Sequence, residues 1–172
     1  HILLEDGKQQ EARTLFDQIV DETKGKDIDA LLAVAQANID SKNGDLKYAI
    51  ETLNKAAERD DKHKNANIYL ALGDAYRQQF DGSNAVLNYR KALEIDPYMA
   101  EAYYKIGKIY KTQNNVSVYV DRFSKSVSVD PAFAPTYYEL YYHYYFRDVD
   151  MARQNLEKYF EYADPSPEFD YM

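Results

Sequence analysis

Catalysis needs groups that exchange protons, attack or hold a metal, and this sequence brings few of them together. It has three histidines and no cysteine, which excludes thiol nucleophiles, thiolate metal sites and disulfides. His1 is terminal, and His63 falls in a charged stretch between periodic segments. His143 follows Glu139 by one helical turn, a spacing that could ligate a metal weakly. No third ligand lies near it in sequence, so a surface ion pair or no interaction is the expected state. Ser124, Ser126 and Ser128 lie in a helical pattern without a nucleophile-elbow context. Gly82-Ser83 reads as a hairpin turn rather than a phosphate loop. Asp60-Asp61 reads as a solvated carboxylate pair at a helix end. The expectation is a chain with no catalytic site, no metal and no cofactor.

The remaining chemistry is that of binding. Lys108 and Lys111 stand three residues apart on one helical stretch. Tyrosine occurs 18 times, and Tyr137, Tyr138, Tyr141, Tyr142, Tyr144 and Tyr145 crowd one short segment. Exposed tyrosine offers flat apolar area, a hydroxyl and little entropy to lose on binding. A tyrosine shelf beside two lysines suits an extended peptide that carries an acidic group.

These side chains need elements to position them, and the elements repeat. Asp96-Pro97, Asp130-Pro131 and Asp164-Pro165 are spaced by 34 residues, with Asp60-Asp61 lying 36 before the first. A proline cannot continue a helix and restricts the residue before it, so each dipeptide marks the end of a unit. Ala12, Ala49, Ala85, Tyr119 and Ala152 recur at steps of 37, 36, 34 and 33. Phe16, Leu53, Tyr89, Phe123 and Leu156 follow them by four residues. Ile19, Ala56, Ala92, Ser126 and Tyr159 come three further on. Such spacing puts each trio on one helix face. The other helix of each unit presents Tyr69, Leu72, Gly73 and Tyr76, then Tyr103, Ile106, Gly107 and Tyr110, then Tyr137, Leu140, Tyr141 and Tyr144. Mid-helix glycine costs about 1 kcal/mol relative to alanine. Gly73 and Gly107 therefore predict two helices too close for a side chain between them.

Residues 66–99 resemble a tetratricopeptide repeat position by position. Tyr69 takes the aromatic place, Leu72 and Gly73 the Leu-Gly pair, and Tyr76 the following tyrosine. Ala85, Tyr89, Ala92 and Pro97 complete the pattern. Residues 100–133 resemble it too, with Phe123 and Pro131 in place and Tyr119 and Ser126 replacing two alanines. In residues 134–165, Tyr141 stands where glycine or alanine belongs, so that hairpin must splay or repack. Residues 28–61 align through Leu32, Ala35 and Ile39, and 8–23 match a second helix alone. The resemblance implies one array over 1–172, with 166–172 starting a further helix or a tail. The fold it implies is all-α, an α-solenoid of antiparallel helical hairpins wound into a right-handed superhelix.

In such an array the first helices line a concave surface. The positions about 90° from the packing face are Leu70, Asp74 and Arg77, then Tyr104, Lys108 and Lys111, then Tyr138, Tyr142 and Tyr145. The resemblance includes a subclass that clamps C-terminal carboxylates with lysines and asparagines on successive helices. That set is not present here. The groove tyrosines either bind a ligand or pack on a helix that would follow.

The expected role is a non-catalytic scaffold whose groove binds a protein or peptide, with an acidic group on the partner as one option. A structural module for self-association or assembly into a larger complex or secretion component is the alternative. The net charge of −8 divides into −6 over residues 1–61, +3 over 62–133 and −5 over 134–172. No strong basic surface results, so nucleic acid is not expected. The mildly basic middle suits an acidic peptide or is ordinary solvated surface. No stretch approaches the roughly 18 apolar residues of a membrane span. The chain opens without methionine, which reads as a fragment or processed chain. The compartment stays open between cytoplasm and, if a leader has been removed, bacterial periplasm.

Overall fold

A computed structural model describes residues 2–22, 27–60 and 64–163. The readings of His1, Asp61, His63, Asp164-Pro165 and the further helix or tail at 166–172 lie outside the described residues. Among those described there are ten helices and no strand: α1 (Ile2–Glu5), α2 (Gln9–Glu22), α3 (Ile28–Asp40), α4 (Leu46–Arg59), α5 (Ala66–Gln78), α6 (Gly82–Ile95), α7 (Ala100–Thr112), α8 (Val116–Val129), α9 (Ala134–Tyr144) and α10 (Val149–Tyr162). The pairs α3–α4, α5–α6, α7–α8 and α9–α10 pack as hairpins. The fold is all-α, of the helical-hairpin solenoid class. The chain divides after Pro97 into two compact units.

Local chemistry sets the helix limits. Asp45, Asp81 and Asp148 cap α4, α6 and α10, each accepting the backbone N–H of the residue three further on. Such a cap is worth about 1 kcal/mol. Asp27 caps α3 in the same way, and Asn65 caps α5 by accepting the N–H of Asn67, two residues on. Asp96 and Asp130 stand at the C-termini of α6 and α8, immediately before Pro97 and Pro131. The turn out of α5 runs through Phe80 at φ 61, and that out of α7 through Asn114 at φ 55. Gly82 is not in the turn, as its sequence neighbourhood suggested, but opens α6 behind the Asp81 cap.

In the first unit Leu31, Ala35, Ile39, Ala49, Leu53, Ala56, Ile68, Ala71, Leu72 and Ala75 form one buried cluster. The four-residue α1, which shows no period in the sequence, adds Leu4 to a second cluster with Ala12, Phe16, Val34 and Tyr48. In the second unit Tyr119, Phe123 and Leu140 are buried together, with Tyr104, Tyr110 and Tyr144 packed around them. Tyr69, Tyr76, Tyr103 and Tyr137 are half-buried rather than sealed. The first helices are buried on a further flank as well, through Ile68, Ala71 and Ala75 on α5 and Ala102 and Ile109 on α7. One helix-wheel face accounts for contact with the partner within a hairpin. In α5 the second flank meets the preceding hairpin, since α5 packs on α4 as well as on α6, and α9 packs on α8 in the same way.

The close approach expected at the two glycines is present. A Cβ on Gly73 would lie 2.3 Å from the Tyr89 ring, and one on Gly107 2.5 Å from the Phe123 ring. Tyr89, Ala85, Ala92 and Phe123 are fully buried. In the last hairpin Tyr141 takes the glycine place, and Leu156 stands where α5–α6 and α7–α8 carry a ring. Both are half-buried, and the Tyr141 ring turns onto Tyr138, Tyr142 and Tyr145. The hairpin still forms, repacked around a smaller partner.

Gly107→Ala is expected to lower the unfolding free energy by about 1–3 kcal/mol, because overpacking against the ring outweighs the gain in helix propensity. Adding Phe123→Leu should recover part of the loss in chemical denaturation. A single variant as stable as the parent would show that the ring contact is not close.

Candidate functional site

Two residues of α7 and one of α9 make the most concentrated charge cluster of the second unit. The Lys108 ammonium donates to Glu139 Oε1, and that of Lys111 donates to Oε2 at 2.5 Å. The Glu139 side chain is 7% exposed, while Lys108 and Lys111 are 43% and 36% exposed. Two cations on one carboxylate leave the group with one positive charge in excess. Burial pushes the Glu139 carboxyl up, but the hydrogen bonds and charges of Lys108 and Lys111 outweigh it and hold the group below its ordinary value. Lys108, Lys111, Thr112, Tyr138, Glu139 and Tyr142 line an open pocket of about 470 Å³.

Tyrosines form one wall. The Tyr138 hydroxyl donates to that of Tyr142 at 3.1 Å, and the rings meet edge to face at 4.8 Å. The Tyr138 ring also meets Tyr159 of α10 at 5.2 Å. The hydrogen bond to Tyr142, and then burial, push the Tyr138 phenol up to about 12, so it stays a neutral donor. The Lys111 ammonium sits 5.9 Å above the Tyr142 ring. Tyr142 is 51% exposed and Tyr145 48%. An aromatic edge of this kind beside paired ammonium groups can hold an apolar residue and an acid together.

Other expected groove residues lie elsewhere. Tyr104 turns inward onto Phe123 and Phe133, with centroids at 6.0 and 5.6 Å. In the first unit Asp74 is drawn into its hairpin, where it accepts the Tyr89 hydroxyl at 2.7 Å. Burial and the Asp74 carboxylate together raise the Tyr89 phenol. Arg77 remains exposed, its Nε 3.9 Å from Asp74. Asp74 is spent on a tyrosine of its own hairpin because a buried carboxylate must find a donor.

Glu139 and His143 turn to different partners, so of the two expected states, a surface ion pair or no interaction, the ion pair is not formed. His143 is 8% exposed, and its Nδ1 is hydrogen-bonded to the Tyr119 hydroxyl at 2.8 Å. The surface position assumed for it is corrected: His143 is buried, with a tyrosine as its partner. Burial, then the charges of Arg147 and Lys111, lower its pKa. Thr136 and Ser126 share a hydrogen bond at 2.8 Å, and Ser126 also donates to the Ala100 carbonyl at 2.9 Å. Thr136, Glu139 and His143 occupy the flank held by Ile68, Ala71 and Ala75 in α5. Aligning the repeats along that flank as well as the inward one would have singled them out. Asp60, expected solvated, is 9% exposed and accepts the Asn65 N–H at 2.8 Å. No group of three His, Asp or Glu side chains is placed to hold a metal among the described residues.

Comparison with known proteins agrees with this architecture. Residues 81–114 match the family described as TPR repeat. A crystal structure of MamA superposes with a TM-score of 0.68 at 23% identity, over 85% of this chain and 83% of that one. A second MamA structure gives 0.65 at 22% identity, over 95% and 98%. The C-terminal part of a TPR repeat-containing protein from Cytophaga hutchinsonii gives 0.66 at 17% identity, over 97% of this chain and 67% of that one. No curated protein sequence matches. Residues 81–114 are thus of tetratricopeptide type, and at these identities the structural likeness over the rest of the chain is one of fold.

Because the folded state disfavours the His143 cation, stability is highest above the ordinary histidine pKa of about 6.5 and falls as pH drops through it. Glu139 adds a second loss as pH falls through the carboxylate range. Denaturant midpoints measured from pH 8 to pH 4 should decline in these two stages. His143→Gln is expected to flatten the first, and an unchanged slope near pH 6 would remove His143 as its source.

Proposed function

We propose that this chain is a non-catalytic scaffold that binds a peptide or partner surface, and that the groove between α7 and α9 is where it binds. One observation carries this reading: the open pocket whose walls are Lys108, Lys111, Tyr138 and Tyr142. It combines exposed aromatic area with excess positive charge, the two properties that favour a polypeptide over a small apolar ligand. The hairpin fold supports it, since stacked helical repeats offer extended surfaces for partners. Arg77, Tyr104 and Tyr145 would flank or support such surfaces, and Asp74 would act through its contacts with Tyr89 and Arg77.

Peptides selected for binding from a random display library test this directly. Tyr142→Ala and Lys108→Glu should each weaken the selected peptides by about tenfold, in keeping with about 1–2 kcal/mol for an anchoring contact. Circular dichroism should show the helices retained. Selected peptides that bind both variants like the parent would place the binding surface elsewhere.

A second reading is an assembly module. It draws on the exposure of Phe146 at 91%, Val149 at 75% and Phe160 at 67% around the last hairpin. Light scattering over a concentration series is expected to report a rising mass if this face self-associates, and Phe146→Ser should suppress the rise. A constant monomer mass would remove the self-associating form of this reading.

A further inference from the structure

Glu139 has an arrangement that a groove residue does not need for its own sake. Both its oxygens are used, one by each lysine, and it is sealed under them. An ammonium group carries three N–H donors, so each lysine keeps others beyond the one it gives to Glu139. Those donors belong to side chains that are 43% and 36% exposed and open into the pocket. The Tyr142 hydroxyl accepts from Tyr138, which leaves its own proton to give.

We propose that Glu139 is a positioning residue that holds Lys108 and Lys111 side by side to receive one carboxylate from an Asp or Glu of an extended partner segment. This rests on the functional reading above and specifies the partner that the groove accepts. The incoming acid adds to the cluster and does not replace Glu139. Replacement would leave a buried carboxylate without a counter-charge, a larger loss than an exposed ion pair returns. The excess of one positive charge is cancelled by one acid, so a second adjacent acid meets no further cation among the residues that line the pocket. Lysine side chains are flexible, and tethering them beforehand removes the entropy that a ligand would otherwise have to overcome.

This makes a prediction opposite in sign to simple charge counting. Glu139→Gln renders the site more positive, yet it should reduce discrimination in favour of an acidic peptide. The probes are short peptides, acetylated and amidated at their ends, with a central Glu between Tyr and Pro residues. One twin carries Gln in place of the Glu, and another carries Glu-Glu. Titrations followed by ¹H–¹⁵N spectra at low salt give the affinities. On the parent chain the Glu peptide should bind about three- to fivefold more tightly than the Gln twin, the range of an exposed ion pair. The Glu-Glu peptide should gain less than about twofold further.

Glu139→Gln should bring the Glu-to-Gln ratio to about one while leaving the affinity for the Gln twin unchanged. A purely structural role would weaken both peptides alike and preserve the ratio. A ratio that persists or rises in Glu139→Gln overturns the proposal, as does a parent chain that never prefers Glu. If that variant loses its helical spectrum, Lys111→Gln decides: a ratio retained there overturns the proposal, and its loss supports it. Gln-twin binding that still depends on Tyr142 would spare the scaffold reading in every such case. Insensitivity of both peptides to Tyr142→Ala would sink that reading too.

Discussion

Two helices can approach until an aromatic ring lies against backbone only where one of them lacks a side chain. That constraint closes the hairpins α5–α6 and α7–α8, through Tyr89 over Gly73 and Phe123 over Gly107. Everything else is arranged around it. The ring fills the space that a Cβ would take, and the alanines on either side of Tyr89 let the two helices stay close along their length. The second flanks of α5 and α9 are thereby left to face the preceding hairpin, on α4 and α8 respectively. In α5 that flank is apolar. In α9 it carries a hydroxyl, a carboxylate and an imidazole, and each has found a partner on α7 or α8.

The second unit therefore differs from the first in the chemistry of its inter-hairpin contact. Thr136 answers Ser126, His143 answers Tyr119 and Glu139 answers two lysines. Tyr119 occupies a place that alanine holds elsewhere in the repeat, and its hydroxyl ends on the histidine. Burial of such groups is tolerable only because every one is paired. The same pairing brings the two ammonium groups to one edge of the pocket and leaves the tyrosine wall beside them.

Much of this was legible in the sequence. The 34-residue spacing of Asp-Pro pairs gave the helix ends, and the mid-helix glycines gave the ring contacts. Lys108, Lys111, Tyr138 and Tyr142 were placed near one another from wheel geometry, and they do line one pocket. What escaped was the second buried flank, because a single packing direction had been assigned to each first helix. Glu139 was consequently read as a neighbour of His143 on the same helix, when each in fact reaches a different helix. Asp74 was read as open to a groove because position on a wheel does not reveal that Tyr89, fifteen residues on, needs an acceptor. The short α1 left no periodic mark, and the division after Pro97 falls at a repeat end that the spacing does not set apart from the others.

The polar flank of α9 has a consequence for how freely such a chain can be rearranged. Hairpins with apolar flanks are interchangeable in principle, since any apolar surface will cover another. The α9–α10 hairpin is not: moved beside α6, it would bury a carboxylate, an imidazole and a hydroxyl against strangers. Its place in the order is thus written into matched functional groups, much as a keyed connector permits a single neighbour. Duplication or loss of α7–α8 would carry a penalty that the same event among plain apolar hairpins would not, and the tyrosine wall is tied to its lysines by the same key.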